Sequence, residues 1–100
     1  MTLPVIVLPS ADLDIAAAIR HYNKHRLGYG ELFRLELDRT IGIIARWPEA
    51  YEQVTPRLRR AVLHRFQHAV IYRPFPACIR VVGVIPTRRD PAIFPGLDTP

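Results

Sequence analysis

The chain is 100 residues long, the size of one domain, and its 49% hydrophobic content is that of a globular protein with one core. Its single cysteine excludes an internal disulfide, and no apolar stretch approaches the roughly 20 residues that a membrane-spanning helix needs. The net charge is +5, which favours an acidic partner, and the absence of a spanning stretch predicts no membrane partner.

The positive charge is concentrated in the second half of the sequence. Residues 1–56 carry six basic and seven acidic side chains, whereas residues 57–100 carry eight arginines and two acids. A positive half beside a near-neutral half predicts contact with nucleic acid, with an acidic protein segment, or with both. The first nine residues are apolar but lack a basic region, which argues against a signal peptide; together with the lone Cys78 they predict a cytoplasmic protein.

The first predicted element is a short strand from Leu3 to Leu8, because β-branched residues fill its centre and Pro9 follows it. Ser10 is expected to cap the helix that comes next, over Ala11–Arg26, by offering its hydroxyl to free amides of the first turn. Apolar side chains recur along this helix at helical spacing: Ile15, Ile19 and Tyr22.

A second helix is predicted between a glycine turn and a proline. Gly28 and Gly30 bracket the turn, and Pro48 ends the helix after Trp47. One face of this helix carries a continuous apolar stripe: Phe33, Leu37, Ile41 and Ile44. Two helices joined by so short a turn form a helical hairpin.

Three strands are predicted after a polar segment, Pro48 to Leu58, that has no periodicity and is expected to be a loop. The strand-like runs are Arg59–Phe66, Ala69–Phe75 and Ala77–Ile85. Only short turns separate them, so we expect consecutive antiparallel hairpins.

The order strand, helix, helix, strand, strand, strand predicts an α+β fold, with the helical hairpin packed on one face of a mainly antiparallel four-stranded sheet. One domain, residues 1–90, is expected to contain this fold. Residues 91–100 hold three prolines and a glycine, and we expect an irregular C-terminal tail whose Ile93 and Phe94 dock on the body of the protein.

Alternation along the strands predicts which side chains line the second, partly open face of the sheet. In the last strand, the period of two places two sets of side chains on opposite faces of the sheet. One set is Ile79, Val81 and Ile85, and the other is Arg80, Val82 and Val84. The same period makes three arginines converge on the open face: Arg65, Arg73 and Arg80.

The chain resembles the RelE/ParE toxin superfamily, and its ParE-like branch most of all. The resemblance lies in the order of several segments rather than in one motif: Ala17–Tyr22, Leu27–Gly30, Ile43–Ala50, Arg59–Phe66, Val70–Arg73, Val81–Val84 and Arg88–Pro91. The chain departs from the family pattern at the turn after Arg65-Phe66, where Gln67-His68 replaces the usual Pro-Tyr. It also has no tyrosine or histidine after Tyr72.

This resemblance implies that the chain is the toxin of a two-gene type II toxin–antitoxin module and inhibits bacterial growth. A cognate antitoxin that wraps the toxin would neutralise it. ParE-like members poison DNA gyrase, the target expected here, and RelE-like members cut messenger RNA on the ribosome. A third possibility is an inactive homologue that acts only as an antitoxin partner and corepressor. In every one of these cases, the resemblance implies that the toxin contacts operator DNA only through its antitoxin and that it uses no cofactor.

The residue chemistry favours binding over catalysis. Metal-independent RNA cleavage needs a general base and cations for the phosphorane, and the base could come only from His64, His68 or an acid such as Glu49 or Glu52. A nuclease would use the set Arg65, Arg80 and His64. His64 is expected to be a partly buried structural residue, however, and His68 is expected to be exposed at a turn.

No metal site is expected either. His21 and His25 have a spacing that can hold zinc on a helix, but no cysteine or acid nearby completes such a site.

The arginines of the second half are the expected contacts with antitoxin or target: Arg57, Arg59, Arg60, Arg65, Arg73, Arg80, Arg88 and Arg89. Those that flank the loop (Arg57, Arg59, Arg60) and those that lead into the tail (Arg88, Arg89) are predicted to be exposed for binding. The alternative is that they form salt bridges with acids of the helical half. An apolar patch on the helical hairpin and the sheet edge is expected to receive an antitoxin helix.

Overall fold

The computed structural model describes residues 2–89 and 91–98 of the chain. The elements in chain order are β1 (Val5–Val7), α1 (Pro9–His25), α2 (Tyr29–Arg46), β2 (Glu52–Gln53), β3 (Arg59–Val62), β4 (His68–Pro74), β5 (Ile79–Pro86), a 3-10 turn (Pro91–Ile93) and α3 (Phe94–Leu97). The predicted α+β class and the helical hairpin packed on the sheet are confirmed. None of the helices in the described part of the chain is long and apolar enough to cross a membrane.

The sheet has five strands in the order β1-β5-β4-β3-β2, and not the four that the sequence predicted. β1 runs parallel to β5, and the remaining pairs are antiparallel, so the sheet is mixed. The extra strand, β2, pairs only two residues with β3, and both of its residues are exposed and polar. A strand this short has no hydrophobic alternation, which is why the segment resembled a loop.

The helices begin and end where proline and glycine place them. α1 starts at Pro9, whose fixed φ suits the first turn, and its N-cap is Leu8. The expectation that Ser10 caps the helix is therefore wrong: Ser10 lies inside the first turn, and its hydroxyl donates to the carbonyl of Val82 at 3.3 Å. Gly28 caps α2 at a φ of 86°, a conformation that a glycine adopts without strain.

Both faces of the sheet are covered by hydrophobic side chains. The helical hairpin packs on one face through residues such as Ile15, Phe33 and Leu37. Residues 91–98 pack on the second face, which was predicted to be partly open: Ile93 and Phe94 dock there as predicted, with Phe94 6% exposed, but residues 91–97 are helical rather than irregular. The tail is also held by Asp98, whose carboxylate accepts the Thr55 hydroxyl at 2.9 Å.

A β-bulge in β5 changes which face each later side chain meets. Ile71 pairs with Gly83 and Tyr72 with Val81, so Val82 has no partner on β4. The predicted alternation is correct before the bulge and wrong after it. Val84 packs in the helix-side core, and Ile85 packs under the C-terminal segment.

β1 pairs only with residues 79–81 of β5, and α1 covers the later part of the same edge. β1 is short, and the chain turns into α1 after Leu8, whose amide donates to the Val81 carbonyl at 3.0 Å. Beyond that point the Val84 amide donates to the Asp14 carboxylate at 3.0 Å. Pro86, at the end of the strand, has no amide hydrogen to satisfy. These contacts satisfy backbone groups that would otherwise be unpaired at the edge.

The first of the three predicted strands is shorter than expected. β3 ends at Val62, and the chain turns before His68, with the Leu63 amide donating to the His68 carbonyl at 2.9 Å. Arg65, within this turn, has a φ of 74°. The residues Leu63 to Phe66 are therefore part of a turn, and period-two arguments do not apply to them.

Replacing Asp14 by alanine leaves the half-buried Val84 amide without its acceptor. We expect the free energy of unfolding to fall by about 1–3 kcal/mol, measured by urea denaturation. The Asp14→Asn variant keeps a carbonyl oxygen and should lose less. Equal stability of the two variants would contradict the role given to this contact.

Candidate functional site

A cleft of about 600 Å³ lies between α1, the β3–β4 turn and the end of β5. Its size is within the range of ligand-binding pockets in proteins. Small and apolar residues line it together with titratable and cationic side chains. The titratable and cationic residues are Asp14, His21, Tyr22, Arg65, His68, Arg88 and Arg89.

Three arginines, Arg65, Arg88 and Arg89, give the cleft its positive charge. All three are exposed, and no acid among residues 2–89 and 91–98 forms an ion pair with them. The acid that lines the cleft, Asp14, is engaged by the Val84 amide. The cleft is therefore suited to an anionic group, which the guanidinium forks can bind with paired hydrogen bonds.

Arg65 also has the positive φ noted above, and no other non-glycine residue of the described chain does. Such a conformation costs on the order of 1–3 kcal/mol at a residue with a β-carbon. The surrounding turn, held by Leu63 and His68, maintains it. Strain of this kind is concentrated at functional sites, which adds weight to the cleft as a candidate.

Below the arginines, a hydrogen bond joins α1 to β4. The Tyr22 hydroxyl oxygen lies 2.7 Å from Nδ1 of His68, and both side chains are buried, with His68 8% exposed. The expectation that His68 is simply exposed at a turn is wrong. The Phe33 ring packs against both rings of the pair, with centroid distances of 5.2 Å to Tyr22 and 5.5 Å to His68. The Phe66 ring packs against Tyr22 with a centroid distance of 5.0 Å.

Burial sets the protonation of this pair. Desolvation lowers the pKa of His68, electrostatic repulsion with nearby His21 lowers it further, and Asp14 opposes both. Desolvation raises the pKa of Tyr22, against a backbone hydrogen bond from Gln67. His68 is therefore neutral at physiological pH and Tyr22 protonated. A hydroxyl that donates to Nδ1 leaves the imidazole proton on Nε2.

The residues predicted for a nuclease do not form one site. Arg65 lies beside the cleft near the His68–Pro86 pair of the β4–β5 ladder, whereas Arg80 pairs with Arg73 five residues further along. At the strand rise, this spacing corresponds to about 17 Å. His64 is exposed, not partly buried, and its amide donates to the Glu36 carboxylate at 3.2 Å.

The expected convergence of three arginines on one face is thus only partly correct. The structure brings Arg73 and Arg80 together and leaves Arg65 at the other end of the sheet. The acids considered as bases, Glu49 and Glu52, do not line the cleft. The histidine that lines the cleft is His68 and not His64, and its pairing with Tyr22 was not predicted from the sequence.

The arginines that flank the loop are held by contacts within the chain. Arg57 pairs with Asp98 at 3.2 Å and Arg60 with Glu52 at 2.8 Å. Arg59 donates to the carbonyl of Tyr51 at 2.7 Å. Arg59 and Arg60 are half-buried, so only Arg57 of the three is exposed as predicted. Their use in binding stays a prediction.

An apolar groove lies on the helical hairpin next to the cleft. It is lined by Leu32 and Leu35 of α2, which are 51% and 65% exposed, and by Phe66 of the β3–β4 turn. Glu36 borders the groove, and its hydrogen bond with Arg39 lowers the pKa of the carboxyl. Large exposed leucines beside one another mark a surface suited to a partner.

Two histidines of α1 lie close together without forming a metal site. The rings of His21 and His25 meet edge to face with centroids 4.6 Å apart. Within the described residues, no group of three His, Cys, Asp or Glu side chains is placed to hold a metal ion.

Comparisons with known proteins identify the fold. No protein-family model and no curated protein matches the sequence significantly. A chain of the solved structure described as "Chromosomal ParDE TA system from P. aeruginosa" is similar, with a TM-score of 0.75 over 85% of this chain and 96% of that one. The two chains are 12% identical. The ParE-like fold predicted from the resemblance is confirmed.

The buried His68 predicts a specific dependence of stability on pH. Its folded-state pKa lies below the ordinary 6.5 of the unfolded chain, so the unfolded state binds the proton more readily. The free energy of unfolding should be highest above that pH and fall as the pH drops below it. We expect the His68→Asn variant to lose this slope between about pH 7.5 and pH 5.5 in urea denaturation.

The matched control is His64→Asn, which removes an exposed histidine from the neighbouring turn. It should retain the pH dependence of the unchanged protein. A slope in the His68→Asn variant as steep as that of the control would show that another group causes it.

Proposed function

We propose that this chain is the toxin of a type II toxin–antitoxin module, that a cognate antitoxin neutralises it, and that it inhibits growth by binding DNA gyrase. The observation that carries the proposal is the similarity of fold to the ParDE structure over nearly the whole of both chains. Fold alone does not identify a target, so the choice of gyrase rests on the resemblance to ParE-like sequences and on the chemistry of the site.

The cleft supports action by binding. The set Arg65, Arg80 and His64 is not assembled, and the arginines that do meet, Arg65, Arg88 and Arg89, form a cationic rim rather than a catalytic group. Unpaired guanidinium groups on a rigid sheet end suit an acidic protein surface or a DNA phosphate. In this proposal they contact the gyrase complex.

The groove on the helical hairpin supports the antitoxin part of the proposal. Leu32 and Leu35 are exposed on one helix and can pack against the apolar face of a partner helix. The groove and the cleft share Arg65, so an antitoxin seated on the hairpin also obstructs the cleft. Neutralisation then follows from steric exclusion of the target.

The proposal has three further parts. Residues 1–90 are the toxin domain and residues 91–100 a C-terminal tail, of which Ile93, Phe94 and Leu97 pack on the sheet. The protein acts in the cytoplasm, where gyrase acts, and contacts operator DNA only through its antitoxin.

Expression of the chain without its antitoxin should arrest growth and switch on a DNA-damage (SOS) reporter, because a poisoned gyrase leaves broken DNA. The Arg88→Ala/Arg89→Ala variant should lose most of this toxicity, since it removes two of the three cations of the cleft rim. The readouts are the growth curve and the reporter signal after induction.

The control is Arg20→Ala/Arg26→Ala, which removes the same charge from exposed positions on α1 and at its C-terminal cap. It should remain toxic. Growth arrest with a silent reporter would shift the target to the ribosome, and unimpeded growth would support an inactive homologue that only binds antitoxin.

A second function, ribosome-dependent cleavage of messenger RNA, is favoured by one observation. Neutral His68 is held by Tyr22 at the floor of a cleft with three arginines on its rim. Its Nδ1 is engaged by Tyr22, and no other described residue hydrogen-bonds to Nε2, which carries the imidazole proton. A proton donor for the leaving oxygen and cations for a phosphorane are among the groups that such cleavage needs.

This alternative is tested by mapping messenger RNA ends after induction. Cleavage within codons, abolished by His68→Asn and retained in His64→Asn, would replace gyrase binding with RNA cleavage. Intact messenger RNA during growth arrest would exclude it.

A further inference from the structure

The end of the sheet opposite the cleft carries a second surface that the toxin proposal does not use. It consists of Arg46, Trp47, Arg73, Phe75 and Arg80, which we call the arginine–aromatic surface. Arg73 and Arg80 lie beside one another on β4 and β5, and Phe75 follows directly after β4. Arg46 and Trp47 form the C-terminal end of α2.

Two like charges face each other at the centre of this surface. Arg73 and Arg80 are direct cross-strand partners, an arrangement that destabilises a sheet. In the part of the chain that the structure describes, neither forms an ion pair. Both guanidinium groups lie over the Phe75 ring, with centroid distances of 4.6 and 4.9 Å. The ring holds them in place without neutralising them.

An apolar groove of about 750 Å³ adjoins this arginine pair, and Phe75 lines it. Its apolar walls include Leu3, Trp47, Pro74 and Pro76. Trp47 is 55% exposed, although a large aromatic ring in a monomer is ordinarily mostly buried.

The groove has rigid walls. The Tyr72 hydroxyl donates to the Pro48 carbonyl at 2.7 Å and so fixes the segment after Trp47 against β4. Arg46 stacks over the Trp47 ring at 4.8 Å. Three prolines, Pro48, Pro74 and Pro76, limit backbone freedom around the groove. A partner would therefore meet a preformed surface, which lowers the entropic cost of binding.

We propose that the arginine–aromatic surface docks an acidic segment of a partner protein, with carboxylates bound by Arg73 and Arg80 and an apolar side chain inserted in the groove beside Trp47. An acidic partner removes the repulsion of the arginine pair, and an apolar anchor covers the exposed ring. Trp and Arg are the residues that contribute most at the centres of protein interfaces.

A protein partner fits this surface better than nucleic acid does. The groove is lined largely by aliphatic and prolyl residues, and two guanidinium groups already lie over the Phe75 ring, so a base stacking on that ring would compete with them. The one acid that lines the groove, Glu49, is exposed and would repel phosphate and carboxylate alike. The inference does not depend on gyrase being the target.

Trp47 is the sole tryptophan of the chain, so its fluorescence reports binding at this surface directly. The probe is a short synthetic peptide of glutamate and alanine with one central leucine. Titration of the purified full-length protein should shift the Trp47 emission to the blue in a saturable manner, because the leucine displaces water from the ring. The same peptide with glutamine in place of glutamate should bind at least about tenfold more weakly.

The Arg73→Ala/Arg80→Ala variant should bind the acidic peptide at least about tenfold more weakly and melt at an unchanged or higher temperature, because it removes a like-charge pair. Arg20→Ala/Arg26→Ala, with the same net charge, should bind like the unchanged protein. The melting temperature separates lost binding from lost folding.

Four results would overturn the proposal. They are no response of Trp47 to the acidic peptide, equal affinity for the glutamine peptide, no weakening in Arg73→Ala/Arg80→Ala, and tighter binding of an oligothymidylate probe than of the acidic peptide. The last result would assign the surface to single-stranded nucleic acid. Growth arrest and the DNA-damage reporter test the toxin proposal separately. A failure of peptide binding therefore leaves the toxin proposal standing, and a failure of the toxin proposal leaves peptide binding at the arginine–aromatic surface standing.

Discussion

The arrangement of both candidate surfaces depends on the pairing of β4 with β5 and on the single bulge within it. Val82 has no partner on β4, so the side chains of β5 exchange faces at that point. Before the bulge, Val81 faces the helices; after it, Val84 does, and Ile85 faces the C-terminal segment. One strand thereby supplies both cores. Asp14 then binds the Val84 amide and ties α1 to the strand beside the cleft.

The two ends of this strand pair have different chemistry. At one end, Arg65, Arg88 and Arg89 surround a neutral His68 that Tyr22 holds in place. At the other, Arg73 and Arg80 lie over an aromatic ring next to an apolar groove. Elsewhere, the positive charge of the second half is partly satisfied within the chain by Glu52 and Asp98. The arginines of the second half that form no ion pair with a described residue are concentrated at the two ends of the β4–β5 pair, where partners can reach them.

Much of the fold follows from local sequence rules, and much of the site does not. Prolines and glycines mark the ends of both long helices, and their apolar stripes give the packing faces. Gly83 directly follows the bulge at Val82, and a glycine inside a strand can mark a bulge, but period-two alternation takes no account of it and so misassigned Val84 and Ile85. His68 was misjudged because the turn before it is short, and only the folded chain shows that Tyr22 and Phe33 enclose it. Long-range contacts of this kind are not contained in periodicity.

We propose that this chain inhibits DNA gyrase by binding through the cationic cleft. The direct measurement is a supercoiling assay with purified gyrase and purified full-length protein at increasing molar ratios. We expect inhibition near stoichiometric amounts, lost in Arg65→Ala/Arg88→Ala/Arg89→Ala and retained in Arg20→Ala/Arg26→Ala. Supercoiling that continues unchanged at a stoichiometric excess of the protein would contradict it.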